Sequence, residues 1–271
     1  MRTPFTALNL KGEKSMFNAT YFQYDGQSSA IYGLQIVDFD DGAVKETDAF
    51  SPTLSLQKVP GLVRFFHGGV EYDSAPTCEF SVVSEQELTS DKRRALLSWL
   101  VGRKQFKTLK FIGGDNSDFT YYCVFTSAKS IWVNGRCHGM RLTAQFDSPF
   151  ARGTATTVTV TPGTHTVTLE NKSDIKDGYV YPIVRFTGSS IDIVNTTDDP
   201  KRHFTFSGLA SYETITVDNE VRHISSTIGG EKLSKFTSKN WLRLRPGVNS
   251  LTITASGSVT ITCPHYVMIG Y

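Results

Sequence analysis

The chain has 271 residues, of which 39% are hydrophobic and 20% charged, with a formal net charge of +2. That length suits two ordinary domains, and that much apolar material excludes a mostly disordered chain. Charge is even along the sequence, 16 basic and 16 acidic residues through Phe150 and 12 and 10 beyond it, which excludes the strong bias of a dedicated nucleic-acid binder.

The start, Met1-Arg2-Thr3-Pro4-Phe5, lacks the apolar core of a signal peptide, so none is expected. No run approaches the roughly 18 apolar residues of a membrane span, so no membrane insertion is expected either. Cys78, Cys123, Cys137 and Cys263 are scattered without Cys-x-x-Cys spacing. That argues against zinc and against a dense disulfide framework, and suggests reduced thiols. The Asn-x-Ser/Thr sequons at Asn18, Asn171 and Asn195 are then read as chance matches.

In chain order, Tyr32 to Val37 reads as a strand running into an Asp40-Asp41-Gly42 turn. Between Pro60 and Pro76 the segment Phe65-Phe66-His67-Gly68-Gly69 is expected to turn an exposed β-arm with an apolar tip, and exposed surface of that kind marks contacts. A buried hairpin is the bland alternative. One helix is predicted after Thr89-Ser90-Asp91, with Ser90 and Asp91 as caps, an apolar stripe of Leu96, Trp99 and Leu100, and a stop at Gly102. The basic residues around it (Lys92, Arg93, Arg94, Arg103, Lys104, Lys107 and Lys110) read as a solvated face.

Asn134-Gly135, between Ile131-Trp132-Val133 and Arg136 to Phe146, is the strongest hairpin signal, because both residues tolerate the positive φ of a type I′ turn. A domain boundary is expected near Pro149 to Thr154, giving domains 1–150 and 151–271. Thr154 to Thr161 turns at Pro162-Gly163 and returns as Thr164 to Leu169. Further short strands follow, at Tyr181 to Phe186, Ile191 to Ile193, His203 to Phe206, Thr214 to Val217, Ser250 to Ile253 and Val259 to Cys263. That succession, without an intervening helix, predicts a sandwich or jelly roll.

Chemistry is hard to find. No phosphate-cradling glycine loop and no nucleophile elbow occurs, and the six histidines are dispersed. No cofactor, metal or catalytic residue is assigned. A glycosidase would need two carboxylates. The candidates, Asp38-Phe39-Asp40-Asp41 and Asp198-Asp199, lie beside turn formers, where Asp hydrogen-bonds its own backbone. Trp241, Tyr181 and Tyr212 are candidate sugar platforms, with core packing the simpler reading.

Several features together carry a resemblance over nearly the whole chain. They are Tyr32-Gly33-Leu34, Trp99-Leu100 with Leu109-Lys110-Phe111, Tyr121-Tyr122, Phe146-Asp147-Ser148-Pro149-Phe150, Pro182-Ile183-Val184, Ile193-Val194-Asn195, Phe204-Thr205-Phe206, Ile215-Thr216-Val217-Asp218 and Leu244-Arg245-Pro246-Gly247-Val248-Asn249. In that order they resemble the distal tail proteins of long non-contractile-tailed phages that infect Gram-positive bacteria. One departure is Lys172-Ser173-Asp174 after Asn171, where the family often has glycine.

The resemblance implies a mainly β protein. Its N-terminal ring-forming domain would carry one α-helix and a β-hairpin arm, and its C-terminal domain would be a galectin-like sandwich. It implies a non-enzymatic hub, a hexameric ring at the distal end of the virion's tail, assembled in the host cytoplasm. Such a ring joins the tail tube protein to a tail-associated fibre or lysin protein, offers docking for receptor-binding proteins, and leaves a channel through which DNA passes without specific binding. Phe65, Phe66 and His67 are the expected subunit contacts. The alternative reading is a carbohydrate-binding module for host cell-wall glycans.

Overall fold

Val, Ile, Thr, Phe and Tyr suit a pleated, half-buried surface. The chain follows that preference through eighteen strands and one α-helix among the described residues. The structure is a computed structural model that describes residues 19–37, 53–61, 63–71, 76–114 and 116–268. The Asp40-Asp41-Gly42 turn expected from the sequence, and Asn18, lie outside them. Two compact units divide after Ala151, the second spanning Arg152–Met268.

The first unit contains β1 (Tyr21–Tyr24), β2 (Gln27–Ser28), β3 (Leu34–Val37), β4 (Thr53–Lys58), β5 (Phe65–Glu71), β6 (Thr77–Ser84), α1 (Ser90–Leu100), β7 (Lys107–Ile112), β8 (Tyr121–Val133) and β9 (Arg136–Phe146). Seven of these strands form one antiparallel sheet in the order β2-β1-β7-β8-β9-β6-β3. The predicted stripe of α1, Leu96, Trp99 and Leu100, is its buried face. Trp99 stacks on Phe22 at 5.6 Å and on Tyr32 at 5.4 Å, and its indole N–H donates to the Tyr24 carbonyl at 3.1 Å. A buried Trp needs such a polar partner, and truncating one typically costs about 3–5 kcal/mol.

The cap of α1 differs from the expectation. Thr89, not Ser90 or Asp91, accepts the Lys92 N–H. Thr89 is the last residue with extended ψ, so its side chain is the one that can fold back on the first turn. Ser90 and Asp91 instead accept from the Arg93 and Arg94 guanidinium groups. Asn134 (φ 50°) and Gly135 (φ 76°) make the tight turn between β8 and β9 that the sequence predicts.

The second unit contains β10 (Phe150–Val160), β11 (Gly163–Asn171), β12 (Ile183–Thr187), β13 (Ile191–Asn195), β14 (His203–Phe206), β15 (Thr214–Asp218), β16 (His223–Ser226), β17 (Gly247–Ala255) and β18 (Ser258–Met268). They form two sheets, β10-β18-β12-β15-β16 and β11-β17-β13-β14. Alternate residues point inward, with Val184, Phe186, Ile191, Ile193, Phe204, Phe206, Ile215, Val217, Leu251, Ile253, Val259 and Ile261 all buried. The strands flanking Pro162-Gly163 do not pair with each other. The chain crosses there from one sheet to the other, and β11 pairs with β17 instead. β16 escaped the sequence reading because His223–Ser226 carries a single large apolar residue, Ile224.

Candidate functional site

β4 and β5 form a two-stranded antiparallel ribbon separate from the large sheet. Its register places Phe65 opposite Lys58, Phe66 opposite Gln57 and His67 opposite Leu56. Phe65-Phe66-His67-Gly68-Gly69 is therefore strand, and the chain reverses between Lys58 and Phe65, which pair with each other. This corrects the expected turn. The glycines serve a β-bulge: the register shifts between Ser55 and Leu56, and a Cβ on Gly68 would sit 2.9 Å from Ser55 Oγ.

No described residue of the ribbon is buried. Val63 is 99% exposed, Phe65 62% and Phe66 60%, and Leu54, Leu56 and Val59 are exposed beside them. Successive strand residues face opposite sides, so the two phenylalanines make both faces apolar. An isolated two-stranded ribbon is marginal in water. Six large apolar side chains lie exposed on this one. Tyr72 and Ala75, between the ribbon and Pro76, lie outside the described residues.

The carboxylate candidates are not brought together. Asp38, Asp40 and Asp41 lie outside the described residues. Asp198 forms the expected turn, accepting the Asp199 N–H at 3.0 Å, but it is also buried in an ion pair. Arg243 donates to it through Nε at 2.7 Å and Nη2 at 3.2 Å, and Arg245 Nε lies 3.7 Å away. The hydrogen bond to Asp198 raises the Arg243 pKa further above its ordinary value, against burial. Arg243 also lies 3.9 Å over the Tyr179 ring. Of the three aromatic candidates, Tyr212 is 77% exposed and Tyr181 half-buried, while the half-buried Trp241 packs on Phe236 at 5.0 Å.

A second buried pair had no sequence signal. Glu213 accepts from Lys232 Nζ at 2.8 Å, Ser226 Oγ at 2.6 Å and the Ala210 N–H at 3.2 Å. All four cysteines are buried free thiols, and burial pushes Cys263 up to about 11, far from a thiolate nucleophile. Among the described residues no group of three or more His, Cys, Asp or Glu side chains is placed to hold a metal ion.

The exposed ribbon belongs to the first unit, and the two buried carboxylates among the described residues, Asp198 and Glu213, both lie in the second unit and are held in ion pairs. A family model described as a phage tail protein N-terminal domain matches residues 17–148, and one described as a phage tail C-terminal domain matches residues 150–263. The chain belongs to this family of phage tail proteins. Its fold is similar to that of the SPP1 Dit (gp 19.1) protein, described as a paradigm of the hub adsorption apparatus in phages infecting Gram-positive bacteria. The TM-score is 0.64 at 18% identity, over 91% of this chain and 98% of that one. A chain of the phage p2 baseplate in its activated conformation with Sr aligns at TM-score 0.49 and 8% identity, over 86% of this chain and 90% of that one. No curated protein matches the chain.

Proposed function

We propose that this phage tail protein is the distal tail hub. Six copies close into a ring at the tail tip, each seating its β4–β5 ribbon on the neighbouring copy. The observation that carries this reading is the ribbon: none of its residues whose burial is described is buried, and it presents Phe65, Phe66, Leu54, Leu56, Val59 and Val63 to solvent. A ring requires a heterologous contact that closes by rotation, and a projecting arm supplies one. The likeness in fold to SPP1 Dit, described as a hub, supports the same role. On this reading the residues 1–150 form the ring, and the tail tube protein and a tail-associated fibre or lysin protein bind its two ends. Receptor-binding proteins dock at the periphery, and DNA passes through a channel. The role is structural, not enzymatic, and assembly takes place in the host cytoplasm.

Light scattering on the purified protein, with the Phe65→Ser/Phe66→Ser double variant beside it, tests the proposal. The expected result is a particle about six times the 30.0 kDa chain mass for the native protein. The double variant should lose that mass and keep its melting temperature. Intact rings in the double variant would overturn the role of the ribbon. A native protein that stays monomeric both alone and with the tail tube protein would overturn the hub.

A further inference from the structure

Asn134 and Gly135 form the tip of the β8–β9 hairpin, and both are exposed. Val133 pairs with Arg136, so the ladder ends just beneath them. Neither the Gly135 N–H nor the Asn134 amide has a hydrogen-bond partner among the described residues. Nothing lies within 4 Å of where a Gly135 side chain would stand. The other described asparagines differ on both counts. Asn171, Asn195, Asn219 and Asn249 are buried, and their amides are held: Asn171 donates to the Arg245 carbonyl at 3.1 Å, Asn195 to the Arg243 carbonyl at 3.0 Å and Asn219 to the Pro182 carbonyl at 2.6 Å. Asn240 accepts from Arg202. Each of them, and Asn116 before Ser117, precedes a residue with a side chain.

That difference has a chemical meaning. An asparagine amide carbon is an electrophile within reach of the next backbone nitrogen, and asparagine is a thermolabile residue for that reason. A side chain on the following residue crowds the attacking nitrogen, and glycine has none. We propose that Asn134-Gly135 is a site of spontaneous deamidation. The Gly135 nitrogen attacks Asn134 Cγ. The new bond is N–Cγ, the bond broken is Cγ–Nδ2, and Nδ2 leaves as ammonia with the proton from the Gly135 N–H. The succinimide so formed is opened by water. Cleavage of the N–Cγ bond gives aspartate, and cleavage at the main-chain carbonyl gives isoaspartate, in which the chain runs through Cβ and Cγ. No oxidant or cofactor enters the balance. The two products act differently on the turn. Aspartate accepts the same left-handed backbone and keeps the hairpin. Isoaspartate adds a methylene to the main chain of a two-residue turn, where loop length sets the register, and so disrupts the Val133–Arg136 pairing. Either product places a carboxylate beside Arg136. This site is independent of the ribbon and does not require the ring.

Peptide mass spectrometry on the full chain tests it. The folded protein is held in mildly alkaline buffer, sampled over time and digested briefly with trypsin, with a fresh sample as control. Cleavage after Lys129 and Arg136 releases Ser130 to Arg136, which contains one asparagine and no glutamine. With time this peptide should gain the mass difference between oxygen and NH and separate into two species of equal mass, aspartate and isoaspartate. Conversion should run at least about tenfold faster than at Asn116-Ser117 in the same digest, because the Ser117 side chain hinders the near-attack geometry. Gly135→Ala should slow it at least about tenfold for the same reason. An unchanged Ser130 to Arg136 peptide, conversion no faster than at Asn116, aspartate without isoaspartate, or a Gly135→Ala chain that converts at the native rate would each overturn the proposal.

Discussion

At the scale of single residues, Asn249 shows how one buried amide organises a turn. Its Nδ2 donates to the Arg245 carbonyl at 2.8 Å and the Gly247 carbonyl at 3.0 Å. Its Oδ1 accepts the Arg245 N–H at 2.9 Å and Asn195 Nδ2 at 2.9 Å. The Pro246-Gly247 turn is thus tied to the start of β17 and to the end of β13. Asn249→Ala removes every one of these partners at a fully buried position. Unsatisfied buried groups cost about 1–3 kcal/mol each, so a loss of at least about 2 kcal/mol is expected in urea denaturation of the second unit. Glu213 makes a different prediction. Desolvation raises its pKa, but the bonds from Lys232, Ser226 and the Ala210 N–H outweigh that, and the carboxyl sits below its ordinary 4.5. A depressed carboxyl stabilises the fold above the unfolded value, and that stability is lost as pH falls through the folded one. The native melting temperature should therefore drop on acidification below about 4.5, and Glu213→Gln should be less stable at neutral pH with a flatter acid limb. Equal acid limbs would show that other carboxyls govern the transition.

Elements reveal what a strand pattern can and cannot say. Gly135→Ala should cost the β8–β9 hairpin about 1–2 kcal/mol, because an L-residue at φ 76° meets its own carbonyl; guanidinium denaturation of the variant measures it. That turn was legible because a two-residue connection makes a local demand on two adjacent residues. The helical stripe of Leu96, Trp99 and Leu100 was legible for the same reason. The ribbon was legible as an apolar arm between prolines, yet its turn was misplaced. Gly68-Gly69 looks like a reversal, and only pairing with Ser55 shows it to be a bulge. Likewise, alternation in Thr154 to Val160 and Thr164 to Leu169 announces two strands but is silent about partners. In the interior, Asp198 meets Arg243 across 45 residues. No spacing within either segment announces that contact.

The whole molecule belongs to a family of phage tail proteins, with buried ion pairs in its second unit and exposed apolar side chains on the ribbon of its first. If that ribbon is covered in a ring, the double phenylalanine variant separates assembly from folding, since neither side chain contributes to a core. The strand order of the second unit carries a consequence of another kind, in time. Its first two strands, β10 and β11, find their partners in its last two, β18 and β17. While the chain is being synthesised, β10 and β11 leave the ribosome with nothing to pair with. They wait, through every intervening strand, until β17 and β18 emerge. Contacts so distant in sequence form slowly, and unpaired edges during that interval are sticky. Neither strand has a lysine, and β10 is built largely of threonine, alanine and valine. In the folded unit the exposed positions of both strands are mainly threonines.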